Sequence, residues 1–155
     1  MEESTGKWGM VIDLDRCNGC QACVTACSLE NNIPATGYDS ASYGRGMHWM
    51  RIVRYWEGEY PDIKATFQPM MCQQCEEAAC LAVCPSGALS HNLDTGVVEW
   101  NSNRCIRCKM CILACPFGCV AYDAESRTIL KCDLCGGDPQ CVGACPCKAI
   151  EFADD

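Results

Sequence analysis

The sequence predicts an α+β fold assembled from a repeated unit of strand, cysteine loop, short helical turn and strand. Three observations carry the prediction. Cysteine supplies 18 of the 155 residues. Sixteen of them fall into four groups, each closing with Cys-x3-Cys: Cys17, Cys20, Cys23 and Cys27; Cys72, Cys75, Cys80 and Cys84; Cys105, Cys108, Cys111 and Cys115; Cys132, Cys135, Cys141 and Cys145. Short apolar or β-branched runs flank these groups where strands would enter and leave them.

The third group, NRCIRCKMCILACP at residues 103–116, has the most diagnostic spacing. Cys-x2-Cys-x2-Cys-x3-Cys-Pro belongs to chains that hold two cubane [4Fe–4S] clusters. Three thiolates on one tight loop take three irons of one cluster, and the fourth, one helical turn on, reaches the other. Pro116 cannot continue that turn. Four ligands per cubane make four [4Fe–4S] clusters from the four groups. The predicted fold is therefore two ferredoxin-like units, each with two clusters, in pseudo-twofold arrangement. Two other uses of dense cysteine fit less well. Zinc prefers paired Cys-x2-Cys arms around one small ion. Disulfides imply export, yet residues 1–7 (MEESTGK) are polar and no apolar signal segment follows.

Residues 10–14 (MVIDL) read as a strand, ended by a turn at Asp15 and Arg16 before the first group. Residues 31–71 read as an insertion. Its first part, 31–42, is rich in Asn, Gly, Ser, Thr and Pro and reads as loop. Residues 47–56 (MHWMRIVRYW) and 63–68, joined by a turn at Glu57-Gly58-Glu59, make a β-hairpin. Trp49, Tyr55, Trp56, Tyr60 and Phe67 give it a sticky face that either packs on the cluster core or docks a partner. Strands at 88–90 and 97–100 bracket the turn LDTG at 93–96. A strand at 128–130 precedes the fourth group and one at 149–152 follows it.

Length suits one domain. The apolar share is 49%, but about 37% without the cysteines, so ordinary side chains make a thin core and clusters must complete it. Net charge is −8 before any thiolate is counted. Phosphate would be repelled, which excludes nucleic acid, and a basic partner surface suits better. The longest apolar run, 111–122, holds Pro116 and Gly118 and is shorter than the roughly 20 residues of a membrane span. A cytoplasmic location is expected.

Small residues inside the groups (Gly19, Ala22, Ala26, Ala79, Ala114, Gly143, Ala144) let backbone N–H groups approach the sulfurs. Val24, Leu81, Val83, Ile106, Met110, Ile112 and Leu113 are expected to exclude water. Cys119 and Cys147 are left over and read as small buried hydrophobes. His48 and His91 sit at no metal-binding spacing. Arg104, Arg107 and Lys109 flank the third group while Glu76 and Glu77 lie in the second, which predicts a higher potential at the third group. No nucleophile–base pair or phosphate loop stands out, so the chain is expected to carry electrons rather than catalyse. Neighbouring groups could share clusters, or the groups could nest; the short link from Cys84 to Cys105 suits an inner two-cluster unit.

The motifs CNGCQACVTACSLENNIP, MMCQQCEEAACLAVCPSGAL, CIRCKMCILACPFG and KCDLC followed by CVGACPCKAI resemble those of the iron–sulfur (beta) subunits of molybdenum and tungsten bis-pterin oxidoreductases, the dimethyl sulfoxide reductase type. The likeness runs from about Trp8 to Phe152. It implies nested pairing. Clusters would be held by Cys17, Cys20, Cys23 and Cys145; by Cys132, Cys135, Cys141 and Cys27; by Cys72, Cys75, Cys80 and Cys115; and by Cys105, Cys108, Cys111 and Cys84. They would form a wire in that order, the first facing the pterin subunit. The domain plan is then one polyferredoxin domain, 1–155, with an outer unit at 8–30 plus 128–155, the insertion at 31–71 and an inner unit at 72–127. Expected partners are a large molybdenum- or tungsten-pterin catalytic subunit and a second carrier, a flavin/NAD protein or a ferredoxin. The chain ends ten residues after Cys145, shorter than many members, which also suits small polyferredoxins of tungsten aldehyde oxidoreductases, whose copies can stack into filaments.

Overall fold

The structure is a computed structural model and describes residues 6–33 and 49–154. Within these it is a small α+β fold with four two-stranded antiparallel sheets. Strand β1 (Trp8–Ile12) pairs with β8 (Ile150–Asp154), Trp8 opposite Asp154 and Ile12 opposite Ile150. β2 (Arg51–Glu57) and β3 (Lys64–Met70) form the longest hairpin. β4 (Leu89–His91) pairs with β5 (Val98–Trp100), and β6 (Val120–Asp123) with β7 (Thr128–Lys131).

Side-chain turns set these hairpins. Asn92 accepts from the N–H groups of Asp94 and Thr95 at 3.0 and 3.2 Å, closing the expected turn between β4 and β5. Asp123 does the same for Glu125 and Ser126 at 3.0 and 3.2 Å, and β6 is a strand that the sequence reading had not singled out. The link from Ala124 to Arg127 lacks Gly and Pro, and the aspartate replaces their turn signal. Residues 34–42 of the expected loop, and Met47 and His48 of the expected strand, lie outside the described residues.

Helix α1 (Ala22–Glu30) has nine residues; α2 (Ala79–Ala82), α3 (Met110–Ala114) and α4 (Gln140–Gly143) have four or five. The difference follows from proline. Pro85, Pro116 and Pro146 follow the fourth cysteine of their groups and stop the helix. Ser28 holds that place in the first group, and α1 runs on. A 3-10 turn (Leu134–Gly137) precedes α4. α1 packs on α4 and α2 on α3, and no helix among the described residues is long and apolar enough to cross a membrane.

Three apolar clusters hold the fold. One joins Cys80, Leu89, Val98, Cys111, Val120 and Ile129. A second joins Cys23, Cys27, Met50, Met71, Cys141 and Ile150. The third, Val97, Cys132 and Leu134 with Trp8 and Cys72 against them, lies where β1 and the fourth group meet the second group. Four residues expected to exclude water do not: Val83, Ile106, Met110 and Leu113 are exposed, Leu113 by 82%. Cysteines four apart share one helix face, so a residue midway between Cys111 and Cys115 points outward. The aromatic hairpin divides. Trp49 packs inward and Phe67 is half-buried, whereas Tyr55 is exposed, as are Trp56 by 66% and Tyr60 by 89%.

Candidate metal centre

The cysteine loops share a left-handed backbone device. In the first and third groups Gly19 and Arg107 have φ of 72° and 61°, and Gln21 and Lys109 both have 64°. In the second and fourth groups Gln74 and Leu134 take φ of 46° and 57°. Such alternation aims successive N–H groups into a concavity that suits an anionic centre. Side-chain oxygens brace the loops: Asn18 Oδ1 accepts from the Cys20 N–H at 3.1 Å and Asp133 Oδ1 from that of Cys135 at 2.9 Å. Gly19 carries a further constraint, because the Phe67 ring from β3 covers the place where a Cβ would stand.

The fourth cysteine of each group receives a hydrogen bond. The N–H four residues on donates to sulfur in three groups: Ala88 to Cys84 at 3.3 Å, Cys119 to Cys115 at 3.5 Å and Ala149 to Cys145 at 3.3 Å. Each follows a turn through a positive-φ residue, Gly87, Gly118 or Lys148. The first group has no such turn because α1 continues. There Asn31 Nδ2 donates to Cys27 Sγ at 3.7 Å and to the Cys27 carbonyl at 2.9 Å. At Cys84 burial pushes the thiol up, but donors from Ser86, Ala88 and Leu89 outweigh it and hold the thiol below its usual range.

The groups meet across the fold. One recess is lined by Cys17, Cys20, Cys23 and Cys145, with Cys147 beside them. Another is lined by Cys84, Cys105, Cys108 and Cys111. Burial, then the neighbouring sulfurs of Cys141 and Cys135, pushes the Cys27 thiol up to about 12. Burial raises Cys80 as well, with Cys72 and Cys115 adding to it. Cys132 is pushed up to about 12 by burial, and Cys23, Cys111 and Cys141 to about 11. None of the eighteen cysteines is in a disulfide. Among the described residues no three His, Cys, Asp or Glu side chains converge on a point that one metal ion could fill. A multi-iron cluster needs thiols spread around a larger body than a single ion does.

Two orphaned donors extend the fit. The indole Nε1 atoms of Trp49 and Trp100 are buried without a partner among the described residues. Trp100 lines the recess of Cys84, Cys105, Cys108 and Cys111, and Trp49 packs against both cores that contain Cys23, Cys27, Cys132 and Cys141. A buried N–H without an acceptor costs stability; sulfide or thiolate sulfur in these spaces would relieve it. Buried thiols pushed to 11 or 12 release their protons readily only to a metal.

The leftover cysteines part company. Cys119 is 1% exposed, its thiol pushed up to about 11 by burial, and Arg51 of β2 donates to its sulfur at 3.9 Å and to the carbonyls of Gly118 and Phe117. Cys147 is half-buried at the first recess rather than a core residue, because it lies in the proline turn after Cys145. His91 is half-buried on β4; His48 lies outside the described residues. The surface charges near the loops are engaged elsewhere. Arg107 donates to the Arg127 carbonyl at 2.8 Å, Lys109 stands over the Tyr122 ring at 4.3 Å, and Glu76 pairs with Lys7 at 3.5 Å. The sequence reading missed Lys131, Gln74, Asn31 and Arg51. For Lys131 a signal exists: Ile129 and Lys131 alternate onto the buried face of β7.

Two family descriptions match, both "4Fe-4S dicluster domain", over residues 63–155 and 16–88. Protein NrfC of Escherichia coli (strain K12) is 36% identical over 156 residues, covering 96% of this chain and 66% of the relative. The arsenate respiratory reductase iron-sulfur subunit ArrB of Shewanella sp. (strain ANA-3) is 40% identical over 118 residues, covering 76% of this chain and 46% of the relative. The "Probable anaerobic dimethyl sulfoxide reductase chain YnfG" of Escherichia coli (strain K12) is 34% identical over 162 residues, covering 96% and 74%. The chain thus spans about two thirds of the NrfC relatives and under half of ArrB.

Proposed function

Since this protein belongs to the 4Fe-4S dicluster domain family, whose members similar to it include iron–sulfur subunits of dimethyl sulfoxide reductase-type enzymes, we propose that it relays single electrons between a molybdenum- or tungsten-pterin catalytic subunit and a second carrier. Two dicluster domains amount to four [4Fe–4S] clusters. Cys17, Cys20, Cys23 and Cys145 would hold one; Cys132, Cys135, Cys141 and Cys27 the next; Cys72, Cys75, Cys80 and Cys115 a third; and Cys105, Cys108, Cys111 and Cys84 the last. Each cluster, when bound, takes up and gives back one electron. The pairing of β1 with β8, and of α1 with α4, supports an outer unit of 8–30 with 128–155; α2 on α3 supports an inner unit of 72–127. A pseudo-twofold relation between them, with the β2–β3 hairpin as an insertion, completes this reading.

One observation carries the wire. Only Cys20 and Cys108 are exposed among the eighteen cysteines, one in each of the two end recesses. Of the sulfurs assigned to the middle clusters, Cys27, Cys80, Cys132 and Cys141 are buried and none is exposed, against Cys23 and Cys111 alone buried at the ends. A chain of carriers needs its terminal members near the surface and its inner members insulated. The residues do no bond chemistry themselves: they hold iron, supply N–H donors and exclude water. A filament of stacked copies, as a tungsten aldehyde oxidoreductase could use, is the second reading, favoured by the opening of both end recesses near the surface. The second carrier could equally be a flavin/NAD protein or a ferredoxin. We place the protein in the cytoplasm, where eighteen free thiols persist before iron is loaded.

Anaerobic purification tests the proposal. About sixteen irons per molecule, by the four-iron count of each cubane, a brown absorption bleached by dithionite and a co-purifying molybdenum- or tungsten-bearing chain are expected. Far less iron with the fold intact would overturn it. Full iron without such a partner would leave a free-standing polyferredoxin.

A further inference from the structure

We propose that Lys131, held by Gln74, is a fixed cation built between the second and fourth cysteine groups, where it raises the reduction potential of both middle centres. This rests on the four-cluster assignment above. Lys131 is 5% exposed, and it is the one buried Lys or Arg among the described residues. Its Nζ donates to Gln74 Oε1 at 3.2 Å and to the Cys132 carbonyl at 2.9 Å. Gln74 is held at both ends of its amide. Its Nε2 donates to that same carbonyl at 2.9 Å, and its Oε1 also accepts from the Val98 N–H at 2.9 Å. Gln74 belongs to the second cysteine loop and Lys131 adjoins the fourth, so the pair staples the two together.

Among the described residues no carboxylate pairs with this ammonium. The ion pairs among the described residues are Lys7 with Glu76 and Arg16 with Asp13. The buried Asp123 stands at the other end of the hairpin, opposite Thr128, where Ser126 and Glu125 occupy it. A buried charge without a partner is strongly unfavourable. The negative groups that can offset it are the cysteine ligands themselves. Lys131 adjoins Cys132, and its partner Gln74 stands between Cys72 and Cys75, so the ammonium lies against both groups.

A reduced centre carries one more negative charge than an oxidised one, so a nearby cation favours reduction. Arg104, Arg107 and Lys109 are exposed and screened by salt; Lys131 is shielded from solvent and acts at lower effective dielectric. Its place at the junction of the groups makes it a device for the electron crossing from one unit to the other.

Lys131→Met removes the charge and keeps the length. Full-length protein is titrated anaerobically with EPR detection, and the middle centres are identified by the signals lost in Cys75→Ser and Cys135→Ser. With iron content unchanged, the reduced-to-oxidised ratio of both middle centres at their wild-type midpoints is expected to fall at least tenfold, 59 mV for one electron. The end centres stay within a fraction of that, and Lys131→Arg restores most of the loss. Should Lys131→Met load no iron, Gln74→Met serves instead: it loosens the ammonium without removing it and should lower the same two centres by less. An equal shift at all four centres, no shift in the variant that loads, or an arginine variant as impaired as methionine overturns the proposal. A wild-type protein without four clusters overturns the functional reading itself.

Discussion

Asn31→Leu isolates the donor that replaces a backbone N–H at one cysteine of sixteen. In the other three groups the sulfur of the fourth cysteine takes its hydrogen bond from the main chain, which no side-chain substitution removes. At Cys27 the donor is Asn31 Nδ2, 3.7 Å from the sulfur. A hydrogen bond to a charged acceptor contributes about 1.5–3 kcal/mol at full strength. At this length about a third of it remains, roughly 0.5–1 kcal/mol of preference for the more negative, reduced form. At 59 mV per tenfold for one electron, losing it lowers one midpoint by about 20–40 mV. The helix end also loses the bond to the Cys27 carbonyl at 2.9 Å, worth about 1 kcal/mol of stability. Film voltammetry of the full-length protein reads the midpoints, and iron analysis checks loading. Asn31→Asp removes the donor and adds negative charge, so it should lower the same centre further. A shift spread over all four centres, or a rise in any of them, would refute the reasoning.

Other perturbations have equally definite outcomes. Gly19→Ala should cost about 1–3 kcal/mol; Arg107 adopts φ 61° in the equivalent loop, so the Phe67 ring accounts for most of that cost, and a cycle with Phe67→Ala should show at least about 0.5 kcal/mol of coupling. Additive effects would remove the ring from the explanation. In the iron-loaded protein at pH 8, iodoacetamide should label Cys147 and spare Cys119: with its thiol raised to about 11, only about one Cys119 in a thousand is thiolate at that pH. That fraction grows tenfold for each unit of pH rise, so labelling of Cys119 should appear only near pH 10 and above; mass spectrometry showing equal rates at pH 8 would contradict the burial. Trp56→Ala with Tyr60→Ala should leave iron content unchanged and weaken retention of a co-purifying partner by about tenfold or more, since exposed aromatics dominate docking surfaces; unchanged retention would return the hairpin to a structural role.

Much of the architecture is legible in residues close together in sequence. Cys-x3-Cys puts two sulfurs on one helix face within a single turn, and a proline at 85, 116 or 146 stops that turn whatever surrounds it. The strands beside the cysteine groups are readable as short β-branched runs, and the turn at residues 93–96 from its Asp and Gly. β6 escapes because Asp123 closes its turn by hydrogen bonds that composition does not announce. The water-excluding role expected of Ile106 and Leu113 fails because an apolar residue next to a cysteine of these loops has no assured direction: loop curvature turns it to solvent.

Ligand type, ligand number and the loops that carry them are therefore decided by the order of residues, since each rests on a few consecutive positions with fixed stereochemistry. Folding alone decides which loops face one another, which sulfurs are buried, and where charge is trapped. Gln74 and Lys131 are 57 residues apart; their bond, with no carboxylate paired to the ammonium among the described residues, arises only when two distant loops pack against each other. Electrostatics falls off with distance through a medium whose polarity the fold creates, and so the positions of charges in space, rather than their positions in sequence, set what each centre experiences.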